Sequence, residues 1–145
     1  MKKTAQRLPG AKVDTSQPVT FTFEGQDYQG FAGDSLASAL LANGVSVVGR
    51  SFKVHRPRGV FGSGKEETNA LVQLESRAFT EPNMRATLVP LYQGLQARGQ
   101  NAWPNVRFDL FGLLGLFKRV LPASFYYKTF MWPTWHTWEW LIRHI

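Results

Sequence analysis

The chain has 145 residues, room for one ordinary domain and an appendage. Lys and Arg number 17 against 10 Asp and Glu, a net +7, yet charged residues make up only 19% against 43% hydrophobic, which excludes a solvated polyelectrolyte and wholesale disorder. Cysteine is absent, and with it disulfides, thiol nucleophiles, thiolate zinc sites and Cys-ligated iron–sulfur clusters.

Residues 1–17 are polar and basic, carry Pro9 and Gly10, and read as an N-terminal arm that takes order from a neighbour. Val19, Phe21 and Phe23 then alternate with Thr20, Thr22 and Glu24, the period of a half-buried strand. Gly25, Gln26 and Asp27 supply a turn, and Tyr28, Gly30 and Phe31 a return strand, so 18–32 is a predicted β-hairpin. Asp34 is the expected N-cap of a short amphipathic helix with Leu36, Ala39 and Leu40 on one face, widened by Ala37 and Leu41. Asn43-Gly44 supplies its left-handed stop. Val45, Val47 and Val48 suggest a brief strand, 49–69 a loop rich in Gly, Arg and Lys, and 70–75 another strand. A last strand is expected from Met84 to Leu91, with Pro90 at an edge or end. Pro104 interrupts the next stretch, and Phe108 to Leu121 reads as a helix ended by Pro122.

The expected fold class is therefore α+β, a small mixed sheet with one packed helix, followed by a helical, aromatic-rich C-terminal segment. The expected divisions are 1–17, 18–98 and 99–145. No run approaches the roughly 18 apolar residues of a membrane span. The basic N-terminus is not followed by an apolar stretch, so it does not read as a signal peptide, and the expectation is a soluble, cytoplasmic protein.

Gly59 to Lys65 satisfies G-x-x-x-x-G-K, but the next residue is Glu66 where a phosphate loop needs Ser or Thr for magnesium. Glu67 follows, and two carboxylates there would repel a phosphate, so the pattern is read as coincidental. The segment from Arg50 to Gly59 carries Arg50, Lys53, Arg56 and Arg58 with His55 and no acid. Such a cluster suits phosphate, carboxylate or an acidic protein surface. No nucleic-acid module accompanies it, and His55, His136 and His144 do not make a metal site. No nucleophile elbow and no dinucleotide fingerprint is present, so no catalytic residue is assigned. Between Ser124 and Trp140, Trp132, Trp135 and Trp138 recur every three residues beside Tyr126 and Tyr127. So many large aromatics bury poorly in a small domain. A membrane surface would suit Trp with Lys and Arg, but a protein–protein contact is the preferred reading.

Three separated strings, Phe31 to Val45, Gly49 to Gly59 and Phe125 to Pro133, together resemble the alpha subunit of heterotetrameric sarcosine oxidase. The likeness runs from about residue 7 to the C-terminus. It implies a β-grasp, ferredoxin-like first domain. Members of the wider β-grasp group hold a [2Fe–2S] cluster by thiolates of the Gly-rich loop after the first helix, placed here at 44–64, where this chain has no thiol. The resemblance implies a scaffold that binds no cofactor alone, with FAD, FMN and NAD in the complete complex. It implies two partners, the dinucleotide-binding remainder of an alpha subunit and an FAD-bearing beta subunit. The reaction implied is oxidative demethylation of sarcosine or a related secondary amine. Arg50, Lys53, His55, Arg56 and Arg58 would then face acidic partner groups or a flavin phosphate, and Tyr126, Tyr127, Trp132, Trp135 and Trp138 would form the subunit interface. The rival reading is a free-standing basic module for anionic ligands or nucleic acid.

Overall fold

The computed structural model describes Arg7 and residues 13–76 and 79–117. Strands β1 (Asp14–Phe23) and β2 (Gln26–Ala32) form an antiparallel hairpin. Its turn is the residue pair Glu24-Gly25, both at positive φ (54° and 72°), the mirror-image turn whose twist matches paired strands. The turn thus lies one residue earlier than expected, and β1 begins at Asp14, with a register shift before Pro18.

Helix α1 (Leu36–Ala42) follows. Its N-cap is Ser35, not Asp34: Ser35 and Ser38 form a reciprocal capping box, and Gly44 at φ 75° ends the helix. Leu36, Ala37, Ala39, Leu40 and Ala42 are buried, while Leu41 faces out. Asp34 has a different task. Its buried carboxylate accepts from the Phe31 N–H (3.0 Å), the Ser38 hydroxyl (2.8 Å) and both terminal nitrogens of Arg7. The Arg7 guanidinium also lies 5.1 Å from the centre of the Phe31 ring. One residue of the expected arm is therefore fastened to the end of the hairpin.

The valines at 45–48 run without strand pairing. The short strands β3 (Gly49–Arg50) and β4 (Pro57–Arg58) pair with each other inside the stretch expected as loop. Strand β5 (Leu71–Glu75) is as expected. The strand expected over Met84 to Leu91 is displaced. β6 is Thr80–Arg85, and the apolar residues after it turn back to plug the core, with Val89 and Leu91 buried. Carbonyls of Ala86 and Val89 accept from the N–H groups of Ala37 and Leu36, so this turn satisfies the first turn of α1. Strand β7 (Gln96–Gly99) was not expected.

The sheet order is β2-β1-β7-β5-β6, with β1 and β7 parallel and the other pairs antiparallel. A five-stranded mixed sheet with one helix on it is the expected α+β, β-grasp architecture. The core lies between α1 and the sheet and includes Phe21, Phe23, Leu36, Leu40, Val72, Val89 and Leu95. After β7 the chain reaches a 3₁₀ helix, Leu110–Phe117, where an α-helix from Phe108 was expected. Residues beyond 117, including Tyr126, Tyr127, Trp132, Trp135 and Trp138, lie outside the described residues.

Gly99 sits where β7 meets the following segment. A Cβ there would stand 2.1 Å from Val106 Cγ2 and 2.4 Å from the Val48 carbonyl oxygen. Backbone cannot step aside cheaply, so Gly99→Ala should cost about 2 kcal/mol, read by urea denaturation. An unchanged midpoint would show that this contact relaxes freely.

Candidate functional site

The basic loop is not a uniformly solvated patch. The Arg50 guanidinium donates to the Val106 carbonyl through Nε (3.0 Å) and Nη2 (2.8 Å), and to the His55 carbonyl through Nη1 (3.0 Å). Three of its five N–H donors are spent on the fold. His55 is buried at φ 51°, a strained conformation for a residue with a Cβ. Its Nδ1 lies 2.9 Å from Oδ2 of Asp109, whose side chain is 1% exposed. Oδ1 of Asp109 accepts from the N–H groups of Trp103 and Phe111, each at 3.1 Å. The rings of Phe111 and His55 pack at 5.7 Å. Arg50 Nε completes the group at 3.9 Å from Asp109. This cluster clasps the basic loop to the segment that leads into the aromatic tail.

Lys53, Arg56 and Arg58 are exposed on the same loop. Arg58 Nη1 donates to Asn69 Oδ1 at 2.7 Å, which fixes its fork. Beside them opens a groove of 710 Å³, lined among others by Arg50, Phe52, Arg58, Asn69, Asn83 and Asn101. Two guanidinium groups, several side-chain amides and the exposed Phe52 ring give it a positive, hydrogen-bonding wall suited to a carboxylate or phosphate. Of the five loop residues singled out from sequence, the structure brings Arg50 and Arg58 to this groove and turns His55 inward to Asp109.

The Gly-rich segment that follows holds the residue that sequence reasoning undervalued. Glu67 is fully buried. One carboxylate oxygen accepts from the N–H groups of Phe61 and Gly62, both at 2.7 Å. The other accepts from those of Asn69 (2.6 Å) and Ala70 (3.0 Å). Burial pushes this carboxyl upward, but the four N–H bonds outweigh it and hold the group down at about 2. Glu66 takes the N–H groups of Ser63 and Gly64, each at 2.8 Å. The amides that a phosphate loop would offer to a nucleotide are thus occupied by the chain's own carboxylates, which gives the coincidental reading its physical reason. Two adjacent acids directly after a Gly-rich run and Lys65 are the signal available in the sequence.

Among the described residues no group of three His, Asp or Glu is placed to hold a metal, and no helix is long and apolar enough to cross a membrane.

The family model for the 2Fe-2S iron-sulfur cluster binding domain matches residues 16–102. The sarcosine oxidase subunit alpha of Rhizobium meliloti (strain 1021) is 55% identical over 131 residues, covering 90% of this chain and 13% of that protein. That of Corynebacterium sp. (strain P-1) is 41% identical over 96 residues, 64% of this chain and 10% of that one. The chain therefore spans only 10–13% of these relatives' length. Among solved structures, L-proline dehydrogenase from P. horikoshii aligns at 23% identity and a TM-score of 0.48 over 72% of this chain and 19% of that one, too slight a likeness to argue from.

The family's group does not fit the residues present. A [2Fe–2S] cluster needs thiolates, and the sequence has none; its loop is closed around Glu67 instead. By its match over residues 16–102, the chain belongs to the 2Fe-2S iron-sulfur cluster binding domain family, as a homologue of sarcosine oxidase subunit alpha that lacks the cysteine ligands.

Proposed function

We propose that this chain is the N-terminal portion of a sarcosine-oxidase-type alpha subunit and serves as an interface part of a flavin-dependent oxidoreductase complex. The observation that carries this is the 55% identity over 90% of the chain. In this reading the chain binds no cofactor by itself. FAD, FMN and NAD belong to the complete complex, whose substrate is sarcosine or a related secondary amine. The partners are the dinucleotide-binding remainder of the alpha subunit and the FAD-bearing beta subunit. The β-grasp body expected at 18–98 takes in the start of β1 at Asp14 and the end of β7 at Gly99, and the segment after it docks through Tyr126, Tyr127, Trp132, Trp135 and Trp138. Lys53, Arg56 and Arg58 meet acidic groups of a partner, while Arg50 and His55 shape the loop that presents them.

Association of the purified chain with the FAD-bearing subunit is expected at micromolar concentration. Arg56→Glu with Arg58→Glu should weaken it at least ~10-fold, because each reversal puts like charges across the contact. No association of the unaltered chain would sink this reading. The positive groove favours one second reading, a free-standing module for anionic ligands. In that case the same double variant abolishes binding of a small polyanion such as tripolyphosphate, and the affinity falls steeply with salt.

A further inference from the structure

Thiolates that hold a plant-type [2Fe–2S] cluster follow the spacing x4 then x2 in one loop. At that spacing this chain has Gly62, Glu67 and Ala70. The two flanking positions carry no ligating atom. The middle one carries the buried carboxylate, and the N–H groups of both flanking positions, Gly62 and Ala70, point at it. Phe61 and Asn69 add the other two donors. We infer that the loop remains an anion-holding cradle and that Glu67 supplies the anion from within the chain, standing where the family's cluster would sit.

The chemistry is self-consistent. A cluster is an anion whose sulfurs accept N–H bonds, so a loop that carries one needs amides turned inward. With the thiolates gone, inward amides left unpaired in a buried loop would be costly. One carboxylate offers two oxygens and one negative charge, and here each oxygen takes two N–H groups. The second tier stiffens the arrangement. Glu66 holds the N–H groups of Ser63 and Gly64, and the Thr87 hydroxyl donates to the Gly64 carbonyl at 2.8 Å from the neighbouring turn. A Cβ at Gly62 would have the flexible Glu66 side chain as its nearest neighbour, at 3.0 Å. The cradle holds a carboxylate through both of its oxygens, and a small free one should enter it once the Glu67 side chain is removed.

The test uses the full-length chain, the Glu67→Ala variant and formate. The variant should melt about 10 °C or more below the unaltered chain. Formate should raise the variant's melting temperature saturably, while chloride at equal ionic strength should not, and the unaltered chain should not respond to formate beyond the chloride control. The inference is overturned if the variant melts within about 2 °C of the unaltered chain, or if formate moves both alike. Should the variant fail to fold, the unaltered chain decides by NMR. The amide protons of Phe61, Gly62, Asn69 and Ala70 should lie downfield at neutral pH and move upfield together only in strong acid. Four resonances that titrate separately, or that are not downfield at pH 7, would contradict it.

Discussion

The folding stability of the chain should fall by about 3 kcal/mol as the pH drops from about 4.5 towards 2, and Glu67→Gln should remove that part of the profile. The sign follows from the direction of the shift. In the unfolded chain the carboxyl has its ordinary value of 4.5, while burial and the four N–H bonds together leave it at about 2 in the fold. A carboxyl held low contributes its full stabilisation above the unfolded value and loses it as protons are taken up on the way down to the folded one. Asp34 adds to the same slope. Burial pushes it up, but its bonds to Arg7, Ser38 and Phe31 hold it below the usual carboxylate range. The Gln variant separates the two, since it leaves Asp34 intact. It should also be less stable at neutral pH, because its side-chain NH₂ would face N–H groups that have no second acceptor. Urea denaturation from pH 7 to pH 2.5, followed by Trp fluorescence, measures both effects. Parallel profiles for the two proteins would refute the assignment.

Asp109→Ala should cost about 3 kcal/mol. The change strands three donors or partners at once: the N–H groups of Trp103 and Phe111 and the imidazole of His55. Arg50 loses its nearest carboxylate as well, although its bonds to the Val106 and His55 carbonyls remain. His55→Ala should cost less, because it leaves the two backbone bonds of Asp109 in place. In a double-mutant cycle the pair should couple by at least about 1 kcal/mol. Strict additivity would mean that the imidazole and the carboxylate do not interact in solution. Neither change touches Arg56 or Arg58, so the cycle also separates loss of the clasp from loss of the loop's exposed charge.

How far the sequence reveals this molecule depends on where each signal resides. The hairpin, α1 and β5 are legible because their own side chains carry the period: Phe21 and Phe23 inward, Leu36, Ala39 and Leu40 on one helical face, Val72 buried. β7 is invisible because Gln96, Arg98 and Gly99 flank a single buried Ala97, and the strand exists through its neighbours β1 and β5 rather than through its own pattern. β6 is hidden for the opposite reason. It is an exposed edge containing Pro82, while the apolar residues that follow it belong to a turn. At the site, clustering of positive charge is plain from sequence, but its division of labour is not. Arg50 is committed to Val106, and His55 to Asp109, 56 and 54 positions away. Glu67 was seen only as a charge hostile to phosphate. That reading misses that the acid itself takes the inward N–H groups of the loop.

Glu24 sits in the left-handed turn between β1 and β2, yet its carboxylate accepts from the N–H groups of Gly99, 75 positions on, and Val106, 82 positions on. The first hairpin therefore emerges from the ribosome with its inner edge open, and it waits for the strand that will occupy the middle of the sheet. Local pieces form early, but cooperative closure must wait until the chain has grown past Val106. A nascent polypeptide arrested before that point would present an unpaired β-edge to chaperones, and one arrested well beyond it would not.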